Sequence, residues 1–287
     1  MRKNQNQYPE ASYHLDLSVH TMNKRSRQGL IANGEGGHQW PSAPSMLARL
    51  FHVVALGVYI FSMWYDCYFA SGVFMKTKLI NQEVVAMFNH TLLYKCLYFT
   101  SWNAVFQLTY FFICCVSDLV TSSGAHSPIT RKIASFRDWF LAAVAFPIGT
   151  LVVVVFWAIW AIDRELIFPK FLDQFFPAWL NHVMHTFVLP ILLLDMYMIR
   201  HRYPSKTTGI LGLAFVALSY TCWILWLGFV VDIWVYPFLK VLNGAVFGSF
   251  ILVSALLLLV LYFTGEKLCK IFWSGYADYD FEMDKLD

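Results

Sequence analysis

Apolar residues fall in six long runs separated by polar connectors. The runs cover about Leu47–Phe69, Lys95–Val116, Trp139–Ile162, Ala178–Met198, Ile210–Val231 and Ala245–Phe263. Each is close to the roughly 20 residues that an α-helix needs to cross a bilayer. Lipid leaves backbone amides nothing to bond to, so the runs are read as helices. Pro147 and Pro190 lie inside runs and should kink them. The pattern predicts an all-α polytopic membrane protein with six transmembrane helices in a bundle, formed by residues 47–265. Residues 1–46 read as a polar, disordered tail, and residues 266–287 as a short acidic tail.

Composition agrees. Only 14% of the 287 residues are charged and 58% are apolar, whereas a soluble domain carries about 25% charged residues. The net charge of +3 does not suggest nucleic acid. Its distribution says more: fifteen of the 21 Lys and Arg fall on the side of the chain ends and the even-numbered loops. Basic residues favour the cytosol, so both termini are expected there. The second and fourth spans then both begin at the lumenal or exterior face.

Two polar residues stand near those beginnings. Thr100 lies in YFTSWNAVFQ, five residues past Lys95, so about 8 Å into the span at about 1.5 Å per residue. His185 lies in AWLNHVMHTFVLP, eight residues past Pro177, so about 12 Å in. The two share a layer. Thr100, Asn103, Gln107 and Tyr110 recur at helical spacing on one face, and Asn181 and His185 do so on the other helix, with His182 beside them. Polar stripes in membrane helices face the bundle interior or a wet cavity. The bland alternative is that Thr100 bonds its own helix and His185 a neighbouring one.

Other polar groups read as structural. Asp195 is expected to pair with Arg200 near the interface, and Arg137, Asp138 and Trp139 to form an interfacial anchor. Asp163, Arg164 and Glu165 read as an ion-pair cluster. Asp66 and Asp232 end spans at the Thr100 face, from where either could orient a histidine. Cys67 and Cys96 flank one loop and could pair in an oxidising lumen, while Cys114 and Cys115 pack as small hydrophobes. His182 and His185 have no carboxylate or third histidine near them in sequence, so neither a metal nor another cofactor is expected.

The strings SFRDWFLAAVAFPIG, FWAIWAIDRELIFPK, PAWLNHVMHTFVLP, HRYPSKTTG and WVYPFLK, in that order, resemble the family of androgen-induced and androgen-dependent TFPI-regulating membrane proteins. The similarity runs from about Leu47 to Lys270. It implies a threonine hydrolase that cleaves fatty acid esters of hydroxy fatty acids, with Thr100 as nucleophile and His185 as general base. Thr91 and Ser101 are the fallback nucleophiles. Asn103 and Asn181 are the candidate oxyanion donors by helical face, and Gln107 and His182 complete the expected pocket. The substrate would be a lipid ester entering from the bilayer of the endoplasmic reticulum or plasma membrane. A non-catalytic lipid-binding or regulatory membrane protein is the competing expectation.

Overall fold

The computed structural model describes residues 44–70, 95–122, 127–174, 176–242 and 244–274. Thr91 and nearly all of the N-terminal tail lie outside these. The described residues form only helices and connecting turns: α1 (Met46–Tyr65), α2 (Phe99–Ser122), α3 (Pro128–Phe140), α4 (Phe146–Ile162), α5 (Ala178–His185), α6 (Val188–Met198), α7 (Lys206–Phe229), α8 (Pro237–Val241) and α9 (Gly244–Phe272). Among the described residues, five helical stretches are long and apolar enough to cross a membrane, and six if the bent pair α5–α6 counts as one span.

Serine caps start three of these helices. Ser45, Ser127 and Ser205 accept the main-chain N–H of Ala48, Thr130 and Thr208, which satisfies an amide that the helix itself leaves unbonded. Pro128 follows Ser127 at the first helical position, where its missing N–H costs nothing.

The two interior prolines act differently. Pro147 has no N–H for the preceding turn, and the chain widens to a π-type turn at Leu141–Ala145 just before it. The helix nevertheless runs unbroken from Pro128 to Ile162, so the third span begins earlier than its apolar run suggested. Pro190 leaves the carbonyl of Thr186 without its usual partner. There the fourth span breaks, and α5 and α6 meet at a 48° bend directly after His185.

α3–α4 is the centre of the bundle: 72% of its most apolar stretch is buried, against 17% for α7 and 22% for α9. α1 packs on α2, with Tyr59 stacked on Phe111; α6 and α9 pack on α4; α7 packs on the π turn. Gly149 permits the close approach of α2, α4 and α6, since a Cβ there would lie 2.8 Å from both Gln107 Nε2 and Val188 Cγ1. Outward faces carry Val53, Phe61, Phe215, Leu218, Leu252 and Val253, all exposed, as a lipid-facing surface requires.

Candidate active site

Thr100 occupies the first turn of α2, and His185 the last residue of α5. The bundle brings them together: Thr100 Oγ1 lies 3.3 Å from His185 Nε2. Thr100 is half-buried and His185 is buried.

Three contacts fix this residue. Its Nδ1 lies 3.0 Å from the main-chain carbonyl oxygen of Asn181, one turn earlier. A carbonyl only accepts, so Nδ1 carries the proton and Nε2 presents a lone pair to the threonine. Phe156 stacks on the ring, with centroids 3.7 Å apart and planes inclined by 16°. Trp157 Nε1 donates to the His185 carbonyl at 2.8 Å. That carbonyl needs an external donor because the helix breaks immediately afterwards.

The threonine hydroxyl is kept from its usual partner. Helical Thr and Ser in membranes back-bond to the carbonyl four residues earlier, and Thr121, Ser219, Thr221, Ser249 and Thr264 all do so here. For Thr100 that carbonyl is Cys96. It accepts instead from two indoles, Trp102 Nε1 at 2.9 Å and Trp223 Nε1 at 3.0 Å. Residue 96 precedes α2, so its carbonyl is not held in helical register, and the Thr100 hydroxyl bonds to His185. Tyr220 Oη donates to the adjacent Leu97 carbonyl. Tyr236 Oη accepts the Phe99 N–H at 3.0 Å, one residue before Thr100.

Other expected members divide. Asn103, Gln107 and Tyr110 are buried below Thr100 on the interior face of α2. Gln107 Nε2 donates to Asn103 Oδ1 and to the Ala145 carbonyl, each at 3.0 Å, which leaves the Asn103 amide nitrogen as its donor end. Asn181 orients His185 through its main chain, and its side-chain carbonyl has no hydrogen-bond partner. His182 does not join the pocket. It is exposed, shares a hydrogen bond with Thr186 and stacks against Trp157. The two rings stand about 60° apart around α5, and at the edge of the bundle that offset is enough to leave His182 at the surface while His185 is buried. Neither expected carboxylate reaches His185. Asp66 pairs with Lys95 at 2.7 Å, and Asp232 is an exposed loop residue with a positive φ of 59°. Arg164 pairs with Asp173 and packs over Trp160, which makes the Asp163–Glu165 region structural. Cys67 and Cys96 are unbridged.

Two further features went unread in the sequence. The first is the aromatic clamp of Trp102, Tyr220, Trp223 and Tyr236 around Thr100, of which only the WVYPFLK string gave a sign. The second is a buried ionic cluster at the other end of the stripe. Asp195 does not form an interfacial pair. It is fully buried and accepts from His52 Nε2 at 2.8 Å, from His201 Nε2 at 3.0 Å and from the Tyr110 hydroxyl. The second ring nitrogen of His52 meets Asp118 at 2.7 Å, and that of His201 meets Asp138 at 2.8 Å. Asp138 also receives Arg137, and both are buried instead of anchoring at the interface. Each imidazole nitrogen faces a carboxylate oxygen, which only accepts, so both rings are imidazolium. Two imidazoliums and one guanidinium then balance three carboxylates, and the cluster is neutral. His201, in the connector after α6, shows the competition. Burial acts to lower its pKa, but the Asp195 charge and the bonds to Asp138 and Asp195 outweigh burial and raise it. Cys114 lies beside the cluster, with the donor atoms of His52, Cys114 and Asp195 within 4.8 Å of one another. Both His52 nitrogens are already engaged with carboxylates. The signal missed here was His52 itself, an ionisable group within the first apolar run.

Comparison with known sequences decides the family. Residues 47–270 match the profile of the FAR-17a/AIG1-like proteins. The chain belongs to this family. It is 39% identical to human androgen-induced gene 1 protein over 194 residues, covering 66% of this chain and 82% of that one. It is 36% identical to human androgen-dependent TFPI-regulating protein over 176 residues, covering 61% and 76%. The mouse protein of the latter name is 37% identical over 182 residues, covering 63% and 78%. No solved structure matches. The match runs from the second residue of α1 to within two residues of the end of α9, so both Thr100 and His185 lie in the shared region.

Proposed function

We propose that this FAR-17a/AIG1-like protein is an intramembrane threonine hydrolase that cleaves lipid esters, with fatty acid esters of hydroxy fatty acids as the substrate class. The observation that carries this reading is the pair Thr100 Oγ1 and His185 Nε2 at 3.3 Å, with the proton of the ring held on Nδ1. A threonine hydroxyl is a weak nucleophile until an adjacent base takes its proton.

In this mechanism His185 Nε2 removes the Thr100 proton as Oγ1 attacks the ester carbonyl carbon. The tetrahedral oxyanion collapses, the bond to the hydroxy fatty acid breaks, and Nε2–H protonates the departing alkoxide. Water, deprotonated by His185 in turn, attacks the acyl-threonine; collapse returns the proton to Oγ1 and releases the fatty acid. The β-branch of Thr100 limits its rotamers on the helix and holds Oγ1 towards the base. The partner of Nδ1 is a neutral carbonyl, so the imidazolium gains less than from a carboxylate, and a slow enzyme is expected. Asn103 contributes an amide N–H to the oxyanion from the next turn of α2. A half-buried hydroxyl at the rim of the bundle suits a two-chain ester that arrives sideways from the bilayer. In this reading both termini are cytosolic and the site lies in the opposite leaflet, of the endoplasmic reticulum or plasma membrane.

The test uses membranes expressing the wild type, Thr100→Ala and His185→Ala. Each substitution should abolish labelling by a lipid-like fluorophosphonate and hydrolysis of a panel of lipid esters, at unchanged expression. Binding of acyl lipid with no release of fatty acid by the wild type would instead mark a non-catalytic lipid-binding protein.

A further inference from the structure

The proposed reaction leaves one element to be supplied: a strong donor for the oxyanion close to Thr100. Asn103 lies a full turn deeper, and its carbonyl end is bound by Gln107. Tyr236 is differently placed. It stands in the connector between α7 and the short α8, and its ring packs against Tyr98 and Phe238. Its hydroxyl oxygen accepts the Phe99 N–H at 3.0 Å, at the start of α2 and one residue before Thr100.

Amide N–H groups and the positive end of a helix that point at a phenol oxygen polarise its O–H bond and make it a better donor. The Tyr236 hydroxyl neighbours those of Thr100 and Tyr220, and the Thr100 proton is directed to His185. The Tyr220 proton is itself committed to the Leu97 carbonyl. When Oγ1 bonds to the ester carbon, the former carbonyl oxygen comes to lie within one bond angle of Oγ1, inside the sweep of the Tyr236 O–H.

We propose that Tyr236 is a catalytic residue that donates its phenolic hydrogen bond to the oxyanion formed on Thr100. This rests on the threonine hydrolase reading and adds a residue to it. The proton stays on Tyr236 throughout: the O–H turns to the oxyanion as it forms and turns away when the intermediate collapses, so no net transfer occurs.

Tyr236→Phe keeps the ring and removes the donor. Loss of one oxyanion donor lowers kcat by about 100- to 1000-fold. The separating measurement compares two inhibitors with detergent-purified protein. A lipid trifluoromethyl ketone adds to Thr100 as a hemiketal oxyanion, whereas an ether analogue of the substrate binds without one. Tyr236→Phe should weaken the ketone about 100-fold or more and leave the ether within about threefold. Equal weakening of both, or a ketone affinity within threefold of wild type, overturns the proposal and leaves Tyr236 a packing residue. Where Tyr236→Phe fails to fold, 3-fluorotyrosine at this position keeps the shape and makes the phenol more acidic. The alkaline limb of the kcat profile should then move to lower pH, and an unmoved limb overturns the assignment. Thr100→Ala separates the two claims: full hydrolysis by that variant removes the threonine hydrolase reading itself, whereas its loss together with an unaffected Tyr236→Phe removes only the role of Tyr236.

Discussion

Asp195→Asn tests the buried cluster most directly. The side chains have the same shape, so packing is unchanged and only the hydrogen-bonding capacity differs. Asp195 presents two accepting oxygens to His52, His201 and Tyr110. The amide offers one oxygen and an NH2, which sets an N–H against an imidazole N–H. With both rings protonated, the cluster would carry one uncompensated positive charge in a dry interior. Breaking a buried pair from one side costs about 3–5 kcal/mol. The variant can escape part of that cost by releasing one imidazole proton, after which the amide donates to a ring lone pair. What then remains is the replacement of a charge-assisted bond by a neutral one, about 2 kcal/mol. Release is cheap well above the ordinary histidine pKa near 6.5 and expensive below it. The substitution should therefore lower thermal stability by about 4 kcal/mol at pH 5.5 and by about 2 kcal/mol at pH 8. At about 2–4 °C per kcal/mol, that is roughly 8–16 °C and 4–8 °C. Intrinsic-fluorescence melting of detergent-purified protein at the two pH values measures both. The exposed Asp173→Asn, which breaks only the surface pair with Arg164, serves as the control and should move little. A shift below about 2 °C at both pH values, or a larger shift at pH 8, would refute the charge-balanced cluster.

Other outcomes follow from the same geometry. For the wild type, the raised pKa of His201 means that its contribution to stability is fully present below about pH 6.5 and is lost as pH rises through its folded value; melting temperature should decline on the alkaline side, and His201→Gln should flatten that decline. His182→Ala should leave hydrolysis within about twofold, because that ring faces outward, whereas His185→Ala should lose at least about 100-fold; equal effects would contradict the assignment. Gly149→Ala forces a methyl against Gln107 and Val188 and should cost about 1–3 kcal/mol in the same melting assay.

Much of the architecture was legible in the chain itself. Apolar run length is a one-dimensional property, and a bilayer converts it directly into spans. The stripe Thr100–Asn103–Gln107–Tyr110 was equally readable, because helical phase is fixed by residue spacing, and all of it faces inward. The same charge and depth reasoning put Thr100 and His185 in one layer, where they meet. Polar groups whose roles depend on neighbours from other helices were misjudged. Asp195, Arg137 and Asp138 looked interfacial by their distance from the ends of apolar runs, yet four helices and a connector meet there and turn surface charges into a neutral interior cluster. His182 and His185 are alike in local sequence, and the phase of α5 against α4 alone puts one on the surface and the other against Phe156. The orienting group of His185 is a main-chain carbonyl, which no residue type reveals. The diversion of the Cys96 carbonyl to two indoles needs Trp223, more than 120 residues away, and only the folded bundle sets a distance between them. The sequence thus determined which helices exist and which face of each is polar, since both follow from local spacing in a lipid solvent. Tertiary packing decided which polar groups face one another, and with that which hydroxyl is left to meet a base.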